Sequence, residues 1–301
     1  MSLVSMSEML AHAREKRYAV GYFEAFNMDA MLAVLSAAEQ ANSPVIIGFG
    51  GQFLSSEKRA VEEDVYLYGA IAQQAAKRSK VATAVLLNES NQLPMIYQGM
   101  QAGFNAVMYQ NPGEDFHETR RITKEVCREA HSRGIDVESE IGELPIADIA
   151  TGKRTKGANT DPDVALAFVE YTGIDALAVA IGNVHLLEDK KSDLDFELLQ
   201  ELNDKCPVPL VLHGGTGISD EDMKAAISFG ITKVNVGTAL KRAYINAIGP
   251  FYLDKDINKI DPHITIGWGG RDDMLSCGRD AIASKVLEFI ELFGSANQVP
   301  N

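Results

Sequence analysis

The chain has 301 residues, 46% of them hydrophobic, and a formal net charge of −14. That length accommodates one α/β barrel, which typically takes ~250 residues, and the acidic balance leaves no basic face to neutralise nucleic-acid phosphates or anionic lipid. Cys127, Cys206 and Cys277 are scattered without a CxxC pair, which argues against a disulfide framework or a thiolate zinc knuckle. With no apolar leader and no run near the ~20 apolar residues of a membrane span, a soluble protein of the reducing cytoplasm is expected, with neither nucleic acid nor membrane as partner.

Short β-branched runs alternate with amphipathic ones along the chain. AVGYF (19–23) precedes MDAMLAVLSAAEQA, PVIIGFG (44–50) precedes EDVYLYGAIAQQAAKRS, and VATAVLL (81–87) precedes PMIYQGMQAG. NAVMY (105–109) leads into EDFHETRRITKEVCREAHSRG, and IDVESEIG (135–142) into a polar stretch and then DPDVALAFVEYTG. DALAVAIG (175–182), PLVLHGG (209–215) and KVNVG (233–237) complete eight strand-like runs. Near-continuous apolar strands are those of a parallel sheet covered on both faces, so the pattern predicts a closed (β/α)8 TIM barrel. Residues 1–301 read as one domain, with GRDAIASKVLEFIELFG as a helical extension outside the barrel. A doubly wound open sheet is the alternative, disfavoured because no GxGxxG follows the first run. Asp161-Pro162 predicts a capped helix start and Gly173 its end. Residues 143–160 lack periodicity and read as a mobile loop leaving the fifth strand on the substrate face.

Chemistry concentrates at the ends of the last three runs. His185 ends AVAIGNVH and His213 ends PVPLVLH. One histidine at a strand end is commonly just hydrogen-bonded to backbone. Two on neighbouring strand ends, each opening a βα loop, point to metal ligation, and neutral imidazole suits zinc, whose catalytic sites take three protein ligands. In HGGTG, Gly214 and Gly215 let backbone N–H groups approach an anion and Thr216 adds a hydroxyl; Asn235, Gly237 and Thr238 of NVGT follow on the next strand. Together they have the form of a barrel phosphate site, a plain βα turn being the alternative.

The order GYFEAFN, VESEIG, TDPDVALAFVEYTGIDALAVAIGNVH, VPLVLHGGTGI, GITKVNVGT and ELFGSANQ resembles the class II, metal-dependent ketose-bisphosphate aldolases, the fructose- and tagatose-bisphosphate aldolase family. It spans nearly the whole chain and is most specific from Thr160 to Lys241. The resemblance implies a homo-oligomeric lyase that takes a small phosphorylated sugar or keto substrate and uses zinc or another divalent cation to polarise its carbonyl. It assigns two metal histidines to His185 and His213. The family's third histidine follows a catalytic aspartate at the end of strand three, where this chain reads AVLLNES, with Asn88 and Glu89 in their places.

Glu89 with two imidazoles is still an established zinc set, but the Asn88 amide cannot exchange a proton near neutral pH. The resemblance also places Glu140 at the metal, Asp148 near the family's catalytic glutamate, Gly182 with the substrate-binding glycines, and Asn27 either facing the site or capping a helix. The expected activity is an aldolase-type cleavage other than that of fructose 1,6-bisphosphate, with Glu89, Asp148 or a metal-bound water moving the proton. A non-catalytic sugar-phosphate-binding pseudoenzyme or an accessory subunit of an aldolase is the alternative.

Overall fold

Eight strands form from the eight apolar runs: β1 (Val20–Glu24), β2 (Val45–Gly50), β3 (Thr83–Ser90), β4 (Ala106–Tyr109), β5 (Asp136–Ile141), β6 (Ala176–Val179), β7 (Leu210–Leu212) and β8 (Ile231–Val236). Each pairs in parallel with the next, and β8 pairs with β1, closing the barrel. The computed structural model describes residues 2–111, 113–142, 157–184, 193–253 and 256–299. Its helices are α1 (Met6–Lys16), α2 (Met28–Gln40), α3 (Gly51–Leu54), α4 (Val65–Arg78), α5 (Leu93–Ala102), α6 (Phe116–His131) and α7 (Pro162–Thr172). They continue as α8 (Phe196–Lys205), α9 (Asp220–Ser228), α10 (Thr238–Ile248), α11 (Pro250–Leu253), α12 (Pro262–Thr265) and α13 (Met274–Phe293).

Where the strands depart from the apolar runs, the neighbours explain it. β3 runs past Leu87 into polar Asn88, Glu89 and Ser90 because Gly50 of β2 still pairs with Asn88 and Tyr109 of β4 with Ser90. β6 and β7 stop short of their runs: Ala180, Ile181 and His213 are buried, but beyond the last ladder pair. The signals at α7 behave as expected, since the Asp161 side chain accepts from the backbone N–H groups of Asp163 and Val164, and Gly173 ends the helix at φ 76°.

The period of two along each strand divides the core. Outward residues such as Phe23, Val85, Val107 and Leu212 pack under the helices, while Tyr22, Ile46, Leu86, Met108, Ala178 and Val211 fill the barrel. Met6, Met9, Leu10 and Ala13 of α1 join that inner cluster and plug one end. Asp136, at the start of β5, fixes the plug by accepting from Ser5 Oγ, Ser7 N and Ser7 Oγ. The chemistry is therefore confined to the opposite end, where the strands finish. There the same parity carries Glu24, Asn88, Glu138, Glu140, His213, Lys233 and Asn235 inward.

Candidate active site at the barrel mouth

His213 immediately follows β7 and is fully buried, with its ring held from both sides. On one side Nε2 lies 3.0 Å from Glu138 Oε1 of β5. On the other, Nδ1 faces Glu140 Oε2 at 2.9 Å and Glu89 Oε1 at 3.4 Å. Glu138 and Glu140 are two residues apart on β5, so both reach the axis from one strand, the deeper one below the imidazole and the other beside it. Asn183 steadies the backbone by donating from Nδ2 to the His213 carbonyl at 3.0 Å. Glu89 is aimed by an unusual backbone: its φ is +47°, a left-handed conformation inside a strand, and the β3–β4 register shifts between Leu87 and Ser90. Gln52 of α3 then donates to Glu89 Oε2 at 2.6 Å.

Below the histidine a second charge is buried. Lys233 Nζ of β8 lies 2.8 Å from Glu138 Oε2 and donates to Asn235 Oδ1 at 2.5 Å, above the ring of Tyr22. Burial pulls the Lys233 ammonium below its ordinary range, against the pull of Glu138. For Glu138 burial acts upward, but Lys233 and His213 outweigh it and hold the carboxyl below the carboxylate range. Burial also works against an imidazolium at position 213, yet Glu140, Glu138 and Glu89 together push the His213 pKa up to about 10. Three carboxylates trained on one ring thus demand a positive charge at that point.

Around this centre several buried polar atoms have no hydrogen-bond partner among the described residues: Asn88 Oδ1, Tyr22 Oη and Asn235 Nδ2. Unpartnered buried groups are rare in folded chains and are found where a ligand or water completes them.

Of the residues singled out in the sequence, Glu89, Glu140 and His213 meet at one point, and Asn88 and Asn235 share the inner face with them. Gly214 takes φ 71° and opens the turn after His213; Gly215 packs against Val234 of β8, where a Cβ would come within 2.6 Å of its side chain. The hydroxyl of Thr216 accepts from Ala239 N at 3.4 Å, joining that turn to the first turn of α10. Gly237 stands at the N-terminus of α10 with no side-chain cap, and Thr238 begins the helix. Gly182 adopts φ +101° against the Asp193 carbonyl. Asn27 is the cap of the two alternatives: its Oδ1 accepts from Ala30 N and starts α2. His185 and Asp148 lie outside the described residues.

Sequence reading passed over Glu24, Gln52, Glu138, Lys233 and Lys241. Two of them left a signal: Glu138 shares the face of Glu140 in VESEIG, and Lys233 is a charge inside an otherwise apolar run, on the face of Asn235. Among the described residues no group of three or more His, Cys, Asp and Glu side chains has the spacing of a metal site. The donor types nonetheless suit a divalent cation, because two carboxylates converge on the one imidazole nitrogen that Glu138 leaves facing the mouth. Nor is any helix of the described residues long and apolar enough to cross a membrane.

Comparison with known proteins matches the chain along nearly its whole length. The model of the family "Fructose-bisphosphate aldolase class-II" covers residues 4–298. The fructose-bisphosphate aldolase of Geobacillus stearothermophilus is 36% identical over 308 residues, 99% of each chain. The protein YdjI of Escherichia coli (strain K12) is 35% identical over 94% of each chain. The crystal structure of the YdjI aldolase from Escherichia coli K12 superposes with a TM-score of 0.79 at 33% identity, covering 98% of both chains. A barrel of this topology, carrying this mouth and matched along its length, belongs to the class II fructose-bisphosphate aldolase family of aldolase-type lyases.

Proposed function

We propose that the protein is a divalent-metal-dependent aldolase acting on a phosphorylated ketose or a related keto compound other than fructose 1,6-bisphosphate. The observation that carries this reading is the convergence of Glu89 and Glu140 on His213 Nδ1 at the open end of the barrel. Glu89, His213 and His185, with Glu140 beside them, would hold zinc or a similar ion. Such an ion supplies Lewis acidity that polarises a substrate carbonyl. The chain's own groups do the rest. Glu138 fixes the His213 ring so that Nδ1 faces the mouth. Gly214, Gly215, Thr216, Gly237 and Thr238 surround the N-terminus of α10, whose positive dipole end suits a substrate phosphate. Binding energy from that non-reacting group orients the reacting carbons.

Asn88 supports the departure from the fructose bisphosphate reaction. Its Oδ1 is buried without a partner among the described residues, fit to receive a substrate hydroxyl, but its amide cannot carry a proton away. The same feature favours, as the second reading, a sugar-phosphate binder without turnover. Metal content of the wild type and Glu89→Ala, combined with chelator-sensitive cleavage of a panel of ketose mono- and bisphosphates, separates the two. The expected result is at least tenfold weaker zinc retention in Glu89→Ala and cleavage of a panel member other than fructose 1,6-bisphosphate. Full zinc occupancy in the variant overturns the ligand set, and family-typical turnover of fructose 1,6-bisphosphate overturns the divergence.

A further inference from the structure

Glu24, the last residue of β1, is a buried carboxylate on the inner face that neither metal nor phosphate binding requires. Lys241 of α10 donates from Nζ to Oε1 at 2.5 Å, while its ammonium lies 4.3 Å from the centroid of the Phe53 ring. Among the described residues no hydrogen bond reaches Oε2, and the side chain keeps 10% of its surface exposed. Its flanks are two glycines: a Cβ on Gly50 would stand 3.0 Å from Oε2, and one on Gly237 would stand 3.4 Å from Oε1.

The surroundings place this carboxylate between the two halves of the site. On one side is Gly237, at the start of α10. On the other, a single turn spans from Glu24 to Glu89: Gly50 touches Glu24, Gln52 donates to Glu89, and Phe53 underlies Lys241. The ionisable groups facing Glu24 are Lys241, Glu89 and Tyr22. Burial raises its carboxyl above the ordinary range, Lys241 opposes that rise, and Glu89 adds to it. A pair kept only for stability gives little reason to bury the acid, because the Lys241 side chain is 36% exposed and such contacts contribute little.

We propose that Glu24 is the acid–base residue of the carbon–carbon cleavage, with Lys241 as its positioning partner, performing the proton exchange that Asn88 cannot. The inference rests on the aldolase reading above. In the cleavage direction Oε2 takes the proton from the hydroxyl on the carbon β to the ketone. The electron pair of that O–H bond becomes the new aldehyde carbonyl, the bond between the α- and β-carbons breaks, and its electrons stay with the α-carbon as the enolate of the ketone product. A proton from solvent reaches the α-carbon and Glu24 releases its own to solvent, which completes the products and restores the carboxylate. One proton leaves oxygen and one reaches carbon, so no oxidant or reductant is needed.

The test compares zinc-loaded full-length wild type, Glu24→Gln, Glu24→Ala and Lys241→Met on the ketose mono- and bisphosphate panel, with zinc content and melting temperature measured on each. Glu24→Gln is expected to keep zinc, fold and a KM within about threefold, and to lose about 10²- to 10⁴-fold in kcat, the range of general acid–base catalysis. Lys241→Met is expected to lose about tenfold through misplacement of the carboxylate. Added formate, a small carboxylate, is expected to restore Glu24→Ala but not Glu24→Gln, which no purely structural role predicts. A kcat for Glu24→Gln within about threefold of wild type, or a rise in KM alone, overturns the inference while leaving the aldolase reading intact. A wild type that cleaves no panel member overturns both.

Discussion

His213 shows how much of this site is decided by single residues. Its ring nitrogens face opposite ways, Nε2 toward the barrel interior and Nδ1 toward the mouth, because Glu138 captures the first and Glu140 and Glu89 approach the second. Glu138 is also the counter-ion of the fully buried Lys233, so one carboxylate holds both the ring and the ammonium in place. Glu138→Gln keeps the shape but removes that charge, and losing one member of a buried pair costs about 3–5 kcal/mol. The expected result is a lower urea midpoint at an unchanged m value, their product falling by that amount. An equal loss in Glu138→Gln/Lys233→Met, where the stranded ammonium is gone as well, would show that charge balance is not the cause. Glu89 carries a different burden, since a left-handed non-glycine backbone costs about 1–3 kcal/mol and persists only where neighbours enforce it. Here the Gly50–Asn88 pairing before it and the Ser90–Tyr109 pairing after it fix both sides.

At the scale of elements, β2 and β3 are the tightest joint near the site. A Cβ on Gly48 would stand 1.8 Å from the Leu86 carbonyl oxygen, so only glycine allows the two backbones their approach. Gly48→Ala is expected to lower stability by about 3 kcal/mol, at the upper end of ordinary overpacking costs, and to disturb Glu89 along with it. Thermal unfolding and zinc content of the variant check both effects. Much at this scale is legible in the residues. The strand runs, the Asp161 cap and the Gly173 stop follow from local chemistry, which neighbours in space do not overrule. The extension of β3 through Asn88–Ser90 is not legible, because polar residues end an apolar run while the ladder is dictated by Gly50 on another strand.

The whole molecule depends on its last helix. Ile282, Val286, Ile290 and Phe293 of α13 are buried, and the Phe293 ring stacks on Phe23 of β1, 6.5 Å between centroids. The helix packs on α2 and α10, so it secures the elements on either side of the β1–β8 closure. Burying four such side chains contributes roughly 6–12 kcal/mol at about 1.5–3 kcal/mol each, comparable with the ~5–15 kcal/mol net stability of a typical domain. A chain ending at Asp273 is therefore expected to show no cooperative unfolding transition by circular dichroism. A truncated chain that melts cooperatively would show that the barrel closes without this helix.

From the residues alone, the number of strands, their parallel order, the acidic surface and the family resemblance are fixed, because periodicity, caps and glycine turns act over a few residues at a time. So is the glycine turn that follows the strand-end histidine. Tertiary structure decided which side chains meet: Glu24 with Lys241 across 217 positions, His213 with Glu138 across 75, and Lys233 with Glu138 across 95. The physical reason is closure. A barrel brings the inward residues of strands distant in the chain onto one axis, where burial removes water and makes each charge answerable to its neighbours in space rather than in sequence.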